Sequence, residues 1–128
     1  MVSFMIMKDA RVVAVAVVHG ERWSLLSRVA EAVLKDKKIN TFVIVDNASF
    51  DSEKMKEELS DYENRVIILK QSKNIGYSGA IAKGLAYARD LECDYIFVLD
   101  DDSVPEEGAV DYFLDALKFF PNEKVVLA

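Results

Sequence analysis

The sequence predicts an α/β fold, a doubly wound, mostly parallel sheet with helices on both faces. Three observations lead there. Short apolar runs alternate with segments of helical periodicity along the chain. The apolar runs are rich in β-branched residues and lack a polar residue at every second position, the pattern of strands covered on both faces. Polar residues interrupt these runs at their carboxyl ends, which is where open α/β sheets bind their ligands.

Arg11 to Val18 reads as the first strand, closed by His19-Gly20. Arg22 to Lys35 places Leu26, Val29, Ala30 and Val33 at the spacing of one helix face. Thr41 to Val45 is a second buried strand, closed by Asp46-Asn47, and Asp51 to Asp61 is a polar, exposed helix that Asp51 or Ser52 is suited to cap. Val66 to Leu69 is a third strand, and Gly76 to Arg89 a helix with Ile81, Leu85 and Ala88 inward. Tyr95 to Leu99 is a fourth strand. Glu106 to Phe119 is a helix with Val110, Phe113, Leu114 and Leu117 on one face and Pro121 beyond its end. Val125 to Leu127 begins a fifth strand. Met1 to Met7 is apolar but lacks a basic leader and precedes Lys8 and Asp9, so it reads as an edge strand or a disordered leader rather than a signal peptide. Right-handed crossovers make the layout doubly wound. His19, Asp46-Asn47 and Asp100 to Asp102 then converge on one sheet edge.

The 128 residues fit one domain. A domain of this size buries roughly two-thirds of its unfolded surface, enough for a core without disulfides. A 52% hydrophobic and 30% charged composition suits a globular protein. The net charge of −6 argues against a nucleic-acid partner, which needs a basic footprint. It leaves room for a nucleotide, because a metal ion and a few backbone N–H groups can hold a diphosphate. The single cysteine, Cys93, forms no internal disulfide and reads as a buried or partly buried thiol. No run approaches the roughly 20 apolar residues of a membrane span; the longest is Val12 to Val18. The expected location is cytoplasmic, with the cytoplasmic face of a membrane as a variant. The chain ends as a fifth strand begins, so it reads as a piece or a minimal version of something larger, to be completed by a C-terminal region or an oligomer.

Asp100, Asp101 and Asp102 follow the apolar strand Tyr95 to Leu99. Adjacent carboxylates repel one another and raise each other's pKa unless a cation lies among them. A divalent ion would relieve that repulsion, and Mg²⁺ typically takes one or two carboxylates together with phosphate oxygens and water. The plainer reading is a solvated loop in which Asp102 or Ser103 caps a helix starting near Pro105. The two readings can coexist. Asp46-Asn47 places a carboxylate and an amide at a second strand end, able to pair with a nucleobase edge or to close an Asx turn. Asn47-Ala48-Ser49 also matches a glycosylation sequon, which is discounted because nothing points to secretion.

Asn74-Ile75-Gly76-Tyr77-Ser78-Gly79 leads into a helix that carries a further glycine, Gly84. Glycine inside a helix costs about 1 kcal/mol relative to alanine, so its presence points to close approach by a ligand or a neighbouring backbone, or, more plainly, to tight packing of the helix on the sheet. The helix start also offers N–H groups to an anion. Lys73 and Lys83 are either solvated charges or neighbours of phosphate. His19 is a structural hydrogen-bonder or a ligand contact, not a catalytic base. Trp23 is core or a cover for a helix end.

Together, Val12 to Val18, Val45-Asp46-Asn47-Ala48-Ser49, Asn74 to Gly79 with Gly84, and Leu99-Asp100-Asp101-Asp102-Ser103-Val104-Pro105 resemble the family 2 glycosyltransferases, in particular the rhamnosyltransferase and galactofuranosyltransferase branch. The resemblance spans about residues 11 to 128. It implies a GT-A fold, a nucleoside-diphosphate-sugar donor, a Mg²⁺ or Mn²⁺ ion and a sugar or lipid-linked acceptor of unknown identity. Matched by position, Asp46 and Asn47 fall where the family contacts the base. Asp100 and Asp102 are the outer members of its Asp-x-Asp motif, Asp102 being the better candidate for direct ligation, and Asp101 shares the metal or a ribose hydroxyl. Gly76, Tyr77 and Ser78 fall in the loop lining the donor pocket, and His19 ends the first strand beside it.

The chain departs from the family pattern in two places. Val18-His19-Gly20 stands where a Thr-Tyr-Asn-like stretch is usual, and Ile81-Ala82 replaces an Asn or Arg-Asn. The family's general base, an Asp or Glu beyond the fifth strand, has no counterpart in this sequence. The resemblance therefore implies donor binding without a complete inverting transfer by this chain alone. The alternative is a non-catalytic or partner-dependent nucleotide-sugar-binding module. A receiver-like domain would need its acidic pair after the first strand, and a dinucleotide-binding domain a glycine-rich turn there; His19-Gly20 supplies neither.

Overall fold

The computed structural model describes residues 10–119. The expected fifth strand at Val125 to Leu127, Pro121 and the segment Met1 to Met7 lie outside the described residues. Four strands, β1 (Val12–Val18), β2 (Ile39–Asn47), β3 (Val66–Gln71) and β4 (Tyr95–Leu99), form one sheet in the order β3-β2-β1-β4. All pairings are parallel. The helices are α1 (Trp23–Lys35), α2 (Ser52–Glu58), α3 (Gly76–Asp90) and α4 (Ala109–Leu117), with a 3₁₀ turn at Ser60–Tyr62.

β1 is central and all seven of its residues are buried, as an unbroken Val/Ala run requires. The pleat divides them between two faces. Val12, Ala14, Ala16 and Val18 pack in one cluster with Trp23, Leu26, Val29 and Val33 of α1, Met55 of α2 and Val110 of α4. Val13 and Val15 pack with Ala88 and Ile81 of α3, and Val17 with Ala80. This division follows from the handedness of the crossovers. The chain steps from β1 to β2 to β3 in one direction, which puts α1 and α2 on one face. It then returns to the far side of β1 for β4, which puts α3 on the other. The strand order thus reverses between β1 and β4, and a crevice opens beyond their carboxyl ends.

Gly84 explains how closely α3 sits on the sheet. A Cβ built there would lie 2.6 Å from Val15 Cγ1 and 3.0 Å from Val45 Cγ2. The glycine is therefore required by side chains of the sheet, which is the tight helix-on-sheet packing among the readings left open by the sequence.

Several boundaries differ from the sequence reading, three of them where the site is built. β2 runs on through Asp46 and Asn47, so these are strand residues rather than the turn after it. The helix expected over Asp51 to Asp61 is shorter, and neither Asp51 nor Ser52 caps it through a side chain. α4 starts at Ala109 rather than Glu106, because Gly108 takes a left-handed φ of +80° that breaks the helical backbone before it. Asp102 and Ser103 therefore do not cap that helix. Trp23 is core, 3% exposed, with its indole N–H donating to Glu58 at 2.5 Å.

Candidate nucleotide-binding cleft

The crevice between the ends of β1 and β4 is a cleft of about 430 Å³. Pockets for small ligands run from roughly 300 to 1,000 Å³. Two larger hollows lie nearby, the first of them adjoining the cleft at Tyr77 and Asp100. One of about 810 Å³ follows β4 and α4, and one of about 670 Å³ lies between the end of α1 and the start of α4. Neither gathers polar groups from several strand ends as the smaller cleft does.

Seven residues expected from the sequence line this cleft: His19, Asn47, Gly76, Tyr77, Asp100, Asp101 and Asp102. Two others do not. Asp46 is 1% exposed, and its carboxylate accepts the Ser49 N–H at 2.9 Å and the Ser52 hydroxyl at 2.5 Å. The pleat turns it toward α2, where it closes the 46–52 turn. Ser78 is exposed and lies off the cleft wall. Lys73 and Lys83 are exposed and also lie away from it.

Asn47, next along the strand, faces the α3 side. It is 2% exposed. Its Oδ1 accepts the Ile75 N–H at 2.9 Å, while its Nδ2 donates to Asn74 Oδ1 at 2.9 Å and, weakly, to the Gly76 carbonyl at 3.4 Å. Asn74 Oδ1 also accepts the Gly76 N–H at 2.8 Å. This pair of amides clamps the start of α3 against the end of β2. Gly76 needs its glycine, since its φ is +80°. Asn74, rather than the N-cap residue Ile75, serves the start of α3 by taking the Gly76 N–H, and the first turn borders the cleft through Gly76 and Tyr77. The Phe50 N–H donates to the Gly20 carbonyl at 2.9 Å, so the loops after β1 and β2 are also tied together.

The acidic triplet is not a set of three equivalent groups. Arg22, one residue before α1, forks onto Asp101, with Nε donating to Oδ2 at 2.5 Å and Nη2 to Oδ1 at 2.8 Å. The same Nη2 lies 3.7 Å from Asp102 Oδ2. Asp101 retains 11% side-chain exposure and Asp102 55%. The hydrogen bond and the charge of Asp101 raise the Arg22 pKa further, so the guanidinium is a fixed cation. Asp100 is exposed. Burial, and then the charge of Asp100, push the Tyr77 phenol above its usual pKa. The repulsion expected within the triplet is thus relieved in part by a guanidinium. Among the described residues, no three histidine, cysteine or carboxylate side chains form a ready-made metal cage.

Sequence reasoning missed Arg22 and Asn74. Three adjacent carboxylates need a cation, and a basic residue at a neighbouring strand end can supply one. Arg22, just past β1, meets that description. Asn74 stands two residues before a glycine at a helix start, the place where an Asx side chain hydrogen-bonds forward.

The profile of the family described as Glycosyl transferase family 2 matches residues 14–127. Galactofuranosyltransferase GlfT1 of Mycolicibacterium smegmatis is 29% identical over 99 residues, which are 77% of this chain and 32% of that protein. The chain thus spans about a third of the length of this curated relative. Among solved structures, GalNAc-T7, crystallised with UDP, GalNAc and Mn²⁺, aligns with a TM-score of 0.56 at 25% identity over 62% of this chain and 16% of that one. S. aureus TarS aligns with a TM-score of 0.68 over 92% of this chain and 38% of that one; at 11% identity it is similar in fold.

Proposed function

This chain belongs to glycosyl transferase family 2, and from that premise we propose that its cleft binds the nucleoside diphosphate of a sugar donor together with Mg²⁺ or Mn²⁺, for transfer of the sugar to an acceptor. One observation carries the reading. Asp100 and Asp102, at the end of β4, meet the first turn of α3 across a single cleft at the point where the strand order reverses.

The donor set fits a hard divalent ion. Asp100 is exposed, and Asp102 is half open with one loose contact to Arg22. Two carboxylates with room for phosphate oxygens and water are what Mg²⁺ typically takes. A bound ion there would offset the charge that builds on the departing nucleotide. The remaining work falls to residues of this chain. Asn47 and Asn74 take the Ile75 and Gly76 N–H groups and so fix the start of α3, whose following first-turn N–H groups attract an anion. His19 and Tyr77 stand on opposite lips, on the β1 loop and on α3. The Tyr77 hydroxyl, protonated at neutral pH as a phenol is, can donate a hydrogen bond into the cleft.

Calorimetry with UDP, GDP and dTDP, each with and without Mn²⁺, tests the reading. Binding is expected to require the metal and to weaken at least about tenfold in Asp102→Ala, the loss of one charged ligand. No binding in any combination, or binding indifferent to Asp102→Ala, would overturn it. The acidic groups lining the cleft are the triplet itself, which leaves no further carboxylate among the described residues there to deprotonate an acceptor. This favours, as a second reading, a donor-binding module that depends on other residues for transfer. Assays with sugar and lipid-linked acceptors separate the two. A cytoplasmic location is part of the proposal. Among the described residues no helix is long and apolar enough to cross a membrane.

A further inference from the structure

We infer that Arg22 is a positioning residue of the acidic triplet: it withdraws Asp101 from the ligand set and guards Asp102, so that a divalent ion settles there well only in company with a diphosphate. The inference deepens the reading of the cleft given above and rests on it.

Three chemically identical side chains are set apart by their surroundings. Both oxygens of Asp101 accept from the Arg22 fork, and little of that carboxylate meets solvent. A planar guanidinium matches a carboxylate in this two-point manner, and the match fixes orientation as well as charge. Asp102 feels the same guanidinium only at 3.7 Å and stays half open. Asp100 lies on the cleft wall. The neighbours on either side of Asp101 are therefore the ones left able to bind an ion. The pair also joins residues 79 positions apart, linking the loop after β1 to the loop after β4 at the rim of the crevice.

The electrostatic consequence follows. Three carboxylates within one turn would attract a bare divalent ion strongly. A fixed guanidinium against the middle one cancels one of the three charges and repels a second cation approaching Asp102. A diphosphate brings negative charge of its own, which offsets that repulsion. The guanidinium thus sets a preference for the metal–nucleotide pair over the metal alone.

The test compares Mn²⁺ alone with Mn²⁺ plus UDP, following free Mn²⁺ by electron paramagnetic resonance at low ionic strength, where screening is weakest. Arg22→Gln is expected to bind Mn²⁺ alone about tenfold more tightly than the native chain, from loss of a neighbouring unit charge. The further gain on adding UDP is expected to shrink. A merely structural role would lower every affinity together. Unchanged or weaker binding of Mn²⁺ alone by folded Arg22→Gln overturns the inference. Should Arg22→Gln not fold, the neutral pair Arg22→Gln/Asp101→Asn keeps shape and net charge. Its Mn²⁺ affinity is expected to equal or exceed that of the native chain, and a fall, with the melting curve intact, would make Asp101 a ligand and overturn the inference. Failure of the native chain to bind UDP under any condition counts against the nucleotide reading instead, and the comparison with Mn²⁺ alone still decides the role of Arg22.

Discussion

Replacing Gly84 by alanine tests the seating of α3 on the sheet, and with it the position of one lip of the cleft. Two effects of opposite sign compete. Alanine is about 1 kcal/mol better than glycine inside a helix. Against this, the new methyl would stand 2.6 Å from Val15 Cγ1 and 3.0 Å from Val45 Cγ2. Carbon atoms settle at about 3.5–4.0 Å, so the helix must retreat by roughly 1 Å or the valines must rotate. Val15 and Val45 are fully buried in the two middle strands, and β-branched side chains have few rotamers to offer. The cost then falls near the top of the usual overpacking range of about 1–3 kcal/mol. The net expectation is a loss of about 2 kcal/mol, which lowers the melting temperature of a domain this size by about 6–8 °C. Gly79 in the same helix is the control. The atoms nearest to a methyl there belong to the flexible Ile75 side chain, at 3.4 Å, so Gly79→Ala is expected to hold or raise the melting temperature. Calorimetric melting of both variants decides. A Gly84→Ala protein as stable as the native one would refute the packing argument.

The buried carboxylate of Asp46 holds the Ser49 N–H and the Ser52 hydroxyl, so Asp46→Asn is expected to cost about 1.5–3 kcal/mol in urea unfolding; a change within error would show that the turn does not depend on it. Tyr77 is one of five tyrosines, and its raised pKa makes it ionise after phenols of ordinary pKa in an alkaline absorbance titration, a late component that Tyr77→Phe removes. The sign follows from linkage: a folded pKa above the unfolded value of about 10 gives stability that is present below that pH and lost as pH rises through the folded pKa. A native titration with no component above the ordinary phenol range would contradict the environment described for Tyr77.

Much of the architecture could be read from the sequence because the decisive residues leave little choice. Val12 to Val18 has no polar position to offer solvent, so it must be central and covered on both sides. With β1 fixed, alternation and handedness place the other elements and bring three strand ends to one rim. The limits of α2 and α4 were less legible because they depend on contacts rather than pattern. Met55 is the only buried residue of α2, so periodicity cannot mark where that helix stops. Gly108 could belong to a helix interior or end one, and its positive φ depends on how the chain leaves the triplet. The cleft was legible as a list of residues but not as a network. Arg22 and Asp101 are adjacent only because β1 and β4 are.

The Asp46-Asn47 pair shows most clearly what a motif conceals. Side by side in sequence, the two residues could both address one ligand. In a strand they cannot, because the pleat sends them to opposite faces. Asp46 serves the turn over α2 and Asn47 the start of α3, so the order of carboxylate and amide matters. Asn47→Asp tests this. The carboxylate could still accept the Ile75 N–H, but it has no proton for Asn74 Oδ1 or the Gly76 carbonyl and would face both as acceptor against acceptor. A buried group left without its partner costs about 1–3 kcal/mol. Because the loss is centred on residues 74–76, it should appear first as faster amide hydrogen exchange in the first turn of α3, ahead of any change at β1. Exchange that speeds uniformly, or not at all, would mean that Asn47 does not hold that helix in place.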